Sequence, residues 1–209
     1  MDEQFLIKNL ARINISTSQI QFAFLVGSRA WGTSTKQSDY DVIIILKQQS
    51  TNNLSSMHTP QFDFKIMDVF TFEEQIESGS FLEIFGLFAP QRLIYCLSNN
   101  ADRWMDEMRQ RINFVKMEQW ITNRQERDIM KADKFAQKKQ YIFAVKALCH
   151  AMRTAYLAAR IRDVAAAAKK VVGDLRSEAD ALVEKQVVND RDWEQFRANV
   201  LGNLANCYN

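Results

Sequence analysis

A chain of 209 residues is long enough for one or two compact domains at ~150 residues each. Hydrophobic residues make up 47% of it and charged residues 25%, with two prolines and six glycines, which excludes a disordered, collagen-like or loop-dominated chain. The net charge of +2 hides an asymmetry: residues 1–95 carry 7 Lys and Arg against 10 Asp and Glu, and residues 96–209 carry 20 against 15. An acidic front and a basic back suit a metal-binding half joined to a phosphate-binding half, and equally a helical half with solvated cationic faces.

Residues 5–13 read as a helix, with Phe5, Leu6, Leu10 and Ala11 near one face. Residues 21–26 form a short apolar run that ends at Gly27-Ser28, and residues 40–46 are β-branched through Val42-Ile43-Ile44-Ile45, so both read as strands. Residues 47–59, rich in Ser, Thr, Asn and Gln, read as a loop in which His58 is solvated. After Pro60, residues 62–70 alternate like a strand, and Thr71-Phe72-Glu73-Glu74 has the hydroxyl and early acids of a helix start. From residue 100 onward the periodicity is helical, with expected helices at 104–120, 122–137, 141–161, 177–188 and 190–204. The alanine run 165–168 reads as helix. This shift in pattern near residue 97 predicts an α+β domain of residues 1–97 followed by an all-helical domain of 98–209.

No apolar run approaches the length of a membrane span, and the acidic Met1-Asp2-Glu3 does not resemble a signal peptide. Cys96, Cys149 and Cys207 are widely spaced and odd in number, which suits a reducing cytoplasm and forms neither a disulfide framework nor a zinc pattern.

The chemistry concentrates between the first two strands, in Gly27-Ser28-Arg29-Ala30-Trp31-Gly32-Thr33-Ser34-Thr35-Lys36-Gln37-Ser38-Asp39-Tyr40-Asp41. Gly27-Ser28, between a strand and a short helix, sets backbone N–H groups and a hydroxyl where a phosphate can sit. On a strand, Asp39 and Asp41 project to the same face, and two such carboxylates call for a cation. Mg²⁺ prefers oxygen ligands and bridges protein carboxylates to phosphates. A third carboxylate on the neighbouring strand would complete a two-metal site for displacement at phosphorus. Alone, a Gly-Ser pair would be a turn and an Asp-x-Asp a solvated cap; eleven residues apart between apolar strands, they are more than that. Arg29 and Lys36 lie within the motif, where either can neutralise triphosphate charge, although Lys36 reads more readily as an exposed cation. Trp31 beside a helix start reads as a plug for the adjacent core, and Ser38 as a cap for the turn before the strand.

Gly27-Ser28 with Ser38-Asp39-Tyr40-Asp41 and the apolar run after it resembles the signature of the DNA polymerase beta-like nucleotidyltransferase superfamily. The fuller string Gly-Ser-Arg-Ala-Trp-Gly-Thr with Ser-Asp-x-Asp is closer to its bacterial and phage branch grouped with RNA-repair proteins. Asp68-Val69-Phe70-Thr71-Phe72, followed by Phe81-Leu82-Glu83-Ile84-Phe85, resembles that branch's third-acid strand and the helix after it. Lys146-Ala147-Leu148-Cys149-His150-Ala151-Met152-Arg153 resembles its C-terminal helix, and Val172-Gly173-Asp174-Leu175-Arg176 matches a short later element loosely.

The resemblance implies a small mixed sheet flanked by helices, with an active site between the two domains. It implies transfer of a nucleoside monophosphate from a nucleoside triphosphate to a hydroxyl, with two Mg²⁺ ions, or Mn²⁺, as cofactor. Asp39 and Asp41 would hold metal, and Gly27, Ser28, Arg29 and Lys36 would face the nucleotide. The third acid, which can also serve as base, is Asp68 or Asp63; spacing to the following helix through Phe70 and Phe72 favours Asp68, while Asp63 would otherwise pair with Lys65. His150 and Arg153 share one helical face and would touch phosphate or acceptor, unless His150 is a satisfied core residue. Arg124, Arg127, Lys131, Lys134, Lys138 and Lys139 form a basic surface able to attract RNA, with Asp128 and Asp133 interleaved. An RNA terminus is the favoured acceptor. A small molecule, a protein side chain and a non-catalytic nucleotide-binding role are the alternatives, and neither the preferred triphosphate nor the oligomeric state follows from the sequence.

Overall fold

A computed structural model describes residues 3–32, 34–48, 56–95, 100–166 and 190–206 of the chain. The described residues form two compact units, Met1–Asn113 and Phe114–Asn209. The first is α+β, as expected, and is built on a five-stranded mixed sheet. Its strands are β1 (Ile20–Val26), β2 (Tyr40–Leu46), β3 (Ser56–His58), β4 (Phe62–Asp68) and β5 (Ile94–Tyr95), in the order β3-β4-β2-β1-β5. β2 runs parallel to β4 and antiparallel to β1, while β3 and β5 add antiparallel edges. Two of these strands depart from the sequence reading. β3 lies within the stretch expected to be loop, because the tight turn after His58, where Thr59 N–H donates to the Phe62 carbonyl, folds a polar segment back onto β4. β5 is only two residues long and had no periodicity to detect.

The runs Phe22–Val26 and Val42–Leu46 are apolar on both faces because helices cover both sides of the sheet. On one face, helix α1 (Glu3–Arg12) buries Leu6 and Leu10, and its Phe5 ring meets Tyr40 and Phe62. The opposite face carries Phe22 and Phe24. It is covered by α3 (Val69–Glu77), α4 (Phe81–Phe88) and α5 (Ala101–Gln110), with Trp104 of α5 packed against both Phe22 and Phe72. Arg109 of α5 donates to the Leu87 carbonyl at 2.9 Å, which ties this helix to α4. The compact units therefore part at Asn113 rather than at residue 97, since α5 belongs to the sheet's packing.

In the second unit, α6 (Phe114–Gln137) and α7 (Tyr141–Ala166) form a long antiparallel hairpin against which α8 (Asp190–Asn206) packs. The expected helix 104–120 is two helices, since the chain turns at Arg111, whose guanidinium is held by Glu73 and Glu77. The core of this unit is alanine-rich, with Leu148, Cys149, Trp193 and Val200 buried among Ala132, Ala144 and Ala151. Small residues there let the helices approach closely. The element at 172–176 and the helix expected at 177–188 lie outside the described residues. No described helix is long and apolar enough to cross a membrane.

Gly86 of α4 lies so close to β1 that a Cβ there would overlap the Phe24 ring. Gly86→Ala is expected to destabilise the protein by about 1–3 kcal/mol through overpacking. An unchanged urea midpoint for this variant would contradict the close seating of α4 on the sheet.

Candidate active site

β1 runs directly into a four-residue helical turn, α2 (Gly27–Ala30). Gly27 adopts φ +67°, in the region that glycine enters without steric cost. A second reason for glycine lies across the strand pair. Val26 is the register partner of Asp41, and a Cβ on Gly27 would overlap the Asp41 carboxylate. That carboxylate therefore rests against the start of α2. Val26, at the N-cap, supplies no side-chain cap to the first N–H groups of the turn, and Ser28 is half-buried just beyond it.

β4 brings a second acid alongside. In the parallel register Asp41 lies opposite Asp63, so the two carboxylates leave the same face of adjacent strands. Asp39 directly precedes β2, two residues before Asp41, and is exposed. The Asp63 Oδ1 atom is 3.0 Å from Nδ1 of His58, its register partner on β3. Further along the same face of β4, Lys65 reaches Glu83 of α4 at 2.5 Å. Glu83 is 0% exposed and also accepts a hydrogen bond from Ser80.

Asp68 does not join this group. It lies opposite Leu46 at the far end of β4, on the other face of the sheet, five residues or about 16 Å along the strand from Asp63. Its Oδ1 accepts the Thr71 N–H at 2.8 Å and caps α3. The spacing to α3 that singled out Asp68 in the sequence is thus the spacing of a helix cap.

The other motif residues divide between scaffold and surface. The Arg29 guanidinium donates to the carbonyls of Ser38 and Asp39 and lies 3.9 Å over the Tyr40 ring, so it ties α2 to the turn before β2. Ser38 Oγ accepts the Thr35 N–H at 2.9 Å and caps that turn. Trp31 is buried against Phe85. Lys36 is exposed. The sequence reading set His58 in a solvated loop and Lys65 beside Asp63; it missed His58 as the partner of Asp63 and Glu83 as the partner of Lys65. Their signals were a His-Thr-Pro turn leading into a strand, and a single acid inside the otherwise apolar run Phe81–Phe88.

Among the described residues no three His, Cys, Asp or Glu side chains are gathered into a ready metal cage. The donor set at the start of β2 and β4 nevertheless fits a hard divalent cation. It consists of carboxylate oxygens, and Mg²⁺ is commonly held by one or two carboxylates together with substrate phosphates and water.

His150 and Arg153 lie on α7, in the second unit. His150 Nδ1 is 2.9 Å from Oδ2 of Asp128 on α6, and Arg124 Nε is 3.1 Å from the same oxygen. Asp128 is buried, which raises its carboxyl; the hydrogen bond and charge of His150, joined by Arg124, outweigh burial and hold it below its ordinary value. The second interleaved acid, Asp133, is gripped by Arg197 through two bonds of 2.7 and 2.9 Å.

Residues 8–100 match the model of the family described as polymerase beta, nucleotidyltransferase. This stretch spans the whole sheet. Among solved structures, a nucleotidyltransferase-like protein from Exiguobacterium sibiricum 255-15 is similar over 98% of this chain and 73% of that one, with 13% identity and a TM-score of 0.38. That likeness is too slight to bear on fold or chemistry. No curated protein matches the sequence.

A carboxyl held low in the folded state adds stability above its unfolded pKa of about 3.9, and that stability is lost as the pH falls through the folded value. Asp128→Asn is expected to cost the helical unit about 1–2 kcal/mol at pH 7 and to remove part of its acid sensitivity below about pH 4. Urea unfolding at pH 7 and pH 3 measures both. Equal acid sensitivity in variant and wild type would contradict the ion pair.

Proposed function

We propose that the chain transfers a nucleoside monophosphate from a nucleoside triphosphate to a hydroxyl, with Asp39, Asp41 and Asp63 as the working acids. The observation that carries this reading is the register that sets Asp41 against Gly27 on one side and Asp63 on the other. A divalent metal, Mg²⁺ or Mn²⁺, would be held by these carboxylates and would supply charge neutralisation for the triphosphate and the departing pyrophosphate. Gly27 and Ser28 receive the triphosphate, since the start of α2 places backbone N–H groups and a hydroxyl beside the Asp41 carboxylate. Asp63 accepts the proton of the attacking hydroxyl, and His58 fixes the orientation of its carboxylate. The hydroxyl oxygen bonds to the α-phosphorus as the bond to pyrophosphate breaks.

The proposed acceptor is an RNA terminus. Supporting it are the acid-free stretch of residues 134–162, with seven Lys and Arg, and the likeness of the motif to the RNA-repair branch.

Incubation with each α-labelled triphosphate, Mg²⁺ and RNA tests the reaction. Asp41→Asn and Asp63→Asn are each expected to lower incorporation about 10²–10³-fold. Asp68→Ala should keep the rate and lose about 0.5–2 kcal/mol of stability as a helix cap is removed. Full activity in Asp63→Asn with loss of activity in Asp68→Ala would overturn the assignment. Label appearing in protein or small molecules, and not in RNA, would overturn the acceptor.

A further inference from the structure

On α7 the residues Phe143, Lys146, His150, Arg153, Tyr156 and Arg160 recur at three- and four-residue intervals and so lie along one side of the helix. None is buried: Phe143 is 55% and Tyr156 40% exposed, Lys146 and Arg160 are exposed, and His150 and Arg153 are half-buried. The stripe runs about 25 Å along the helix axis. It carries no acid before Asp163, one turn beyond Arg160, and three nearby carboxylates are already engaged. Asp128 is buried beneath His150, Asp133 is held by Arg197, and Glu118 pairs with Arg162 at 3.1 Å. His150 is itself aimed by Asp128: with Nδ1 on the carboxylate, Nε2 faces away from it.

Cations alternating with aromatic rings along a solvent-facing track match one kind of ligand, a single-stranded polynucleotide. Its phosphates meet the cations and its unpaired bases meet the ring faces. A duplex would leave the rings unused. A membrane surface fits less well, because the exposed apolar residues at the start of α7, Ile142 and Phe143, are followed along this face by Lys146, Arg153 and Arg160.

We infer that this face of α7 binds single-stranded RNA, with Lys146 and Arg160 on phosphates and Phe143 and Tyr156 stacked on bases. The inference deepens the proposed acceptor and rests on that reading for the choice of RNA. Fluorescence anisotropy with a labelled 20-nucleotide single-stranded RNA tests it. The full chain carrying Asp41→Asn is used without triphosphate, so that binding is scored apart from transfer. Affinity should fall linearly on a log–log plot against salt, and Lys146→Ala with Arg160→Ala should flatten that slope by about 1.4. Tyr156→Ala and Phe143→Ala should each weaken binding about tenfold, with folding checked by circular dichroism. The two cation variants lie at exposed positions and keep the test valid if Phe143→Ala unfolds. Absence of RNA binding, binding indifferent to all four substitutions, equal preference for duplex, or Phe143-dependent binding to anionic phosphatidylserine vesicles without RNA binding would overturn the inference. Nucleotide incorporation by the wild type with no RNA binding at this face would leave the proposed reaction standing and remove only the track.

Discussion

The site depends on the pairing register of β2. Its run Val42–Leu46 is buried on both faces, its partners in β1 are apolar throughout, and in β4 Phe64, Ile66 and Met67 lie opposite Val42, Ile44 and Ile45. Because successive side chains alternate between faces, a slip of one residue would send Asp41 toward the α1 face and bring Tyr40 to the Phe24 face. Apolar packing therefore holds two like charges side by side, an arrangement that would disperse in a less constrained segment. The same register explains why Gly27 carries no side chain: the volume a Cβ would need belongs to the Asp41 carboxylate.

Around this core the charges are sorted by task. Arg29 is committed to the carbonyls that shape the turn before β2, so it fixes where Asp39 and Asp41 begin. Lys65, on the same face as Asp63, is held by the buried Glu83, which keeps a cation otherwise well placed to neutralise Asp63 occupied elsewhere. In the helical unit, Asp128 and Asp133 are likewise bound by His150, Arg124 and Arg197.

Much of this was legible in the sequence where a single element carries the signal. The apolar runs gave β1, β2 and β4, and the Gly-Ser to Asp-x-Asp interval marked the turn between β1 and β2. Information that depends on pairing was not legible. Asp63 and Asp68 sit on one strand five residues apart, and only the partner strand decides which of them meets Asp41. The helix after β4 drew attention to Asp68 because a cap and a ligand are both acids near a strand end. β3 is polar because an edge strand needs little apolar pattern, and the break between α5 and α6 depends on Arg111 finding two glutamates 34 and 38 residues away. His150 was visible as a histidine on an apolar helix, but its partner on another helix was not.

The most direct test of this account is the anomalous signal from Mn²⁺ in crystals grown with a non-hydrolysable nucleoside triphosphate. The account predicts a peak within coordination distance of Asp41 and Asp63, with the triphosphate against the Gly27–Ser28 backbone. A peak at Asp68, or triphosphate density away from α2 with no metal at the start of β2 and β4, would contradict it.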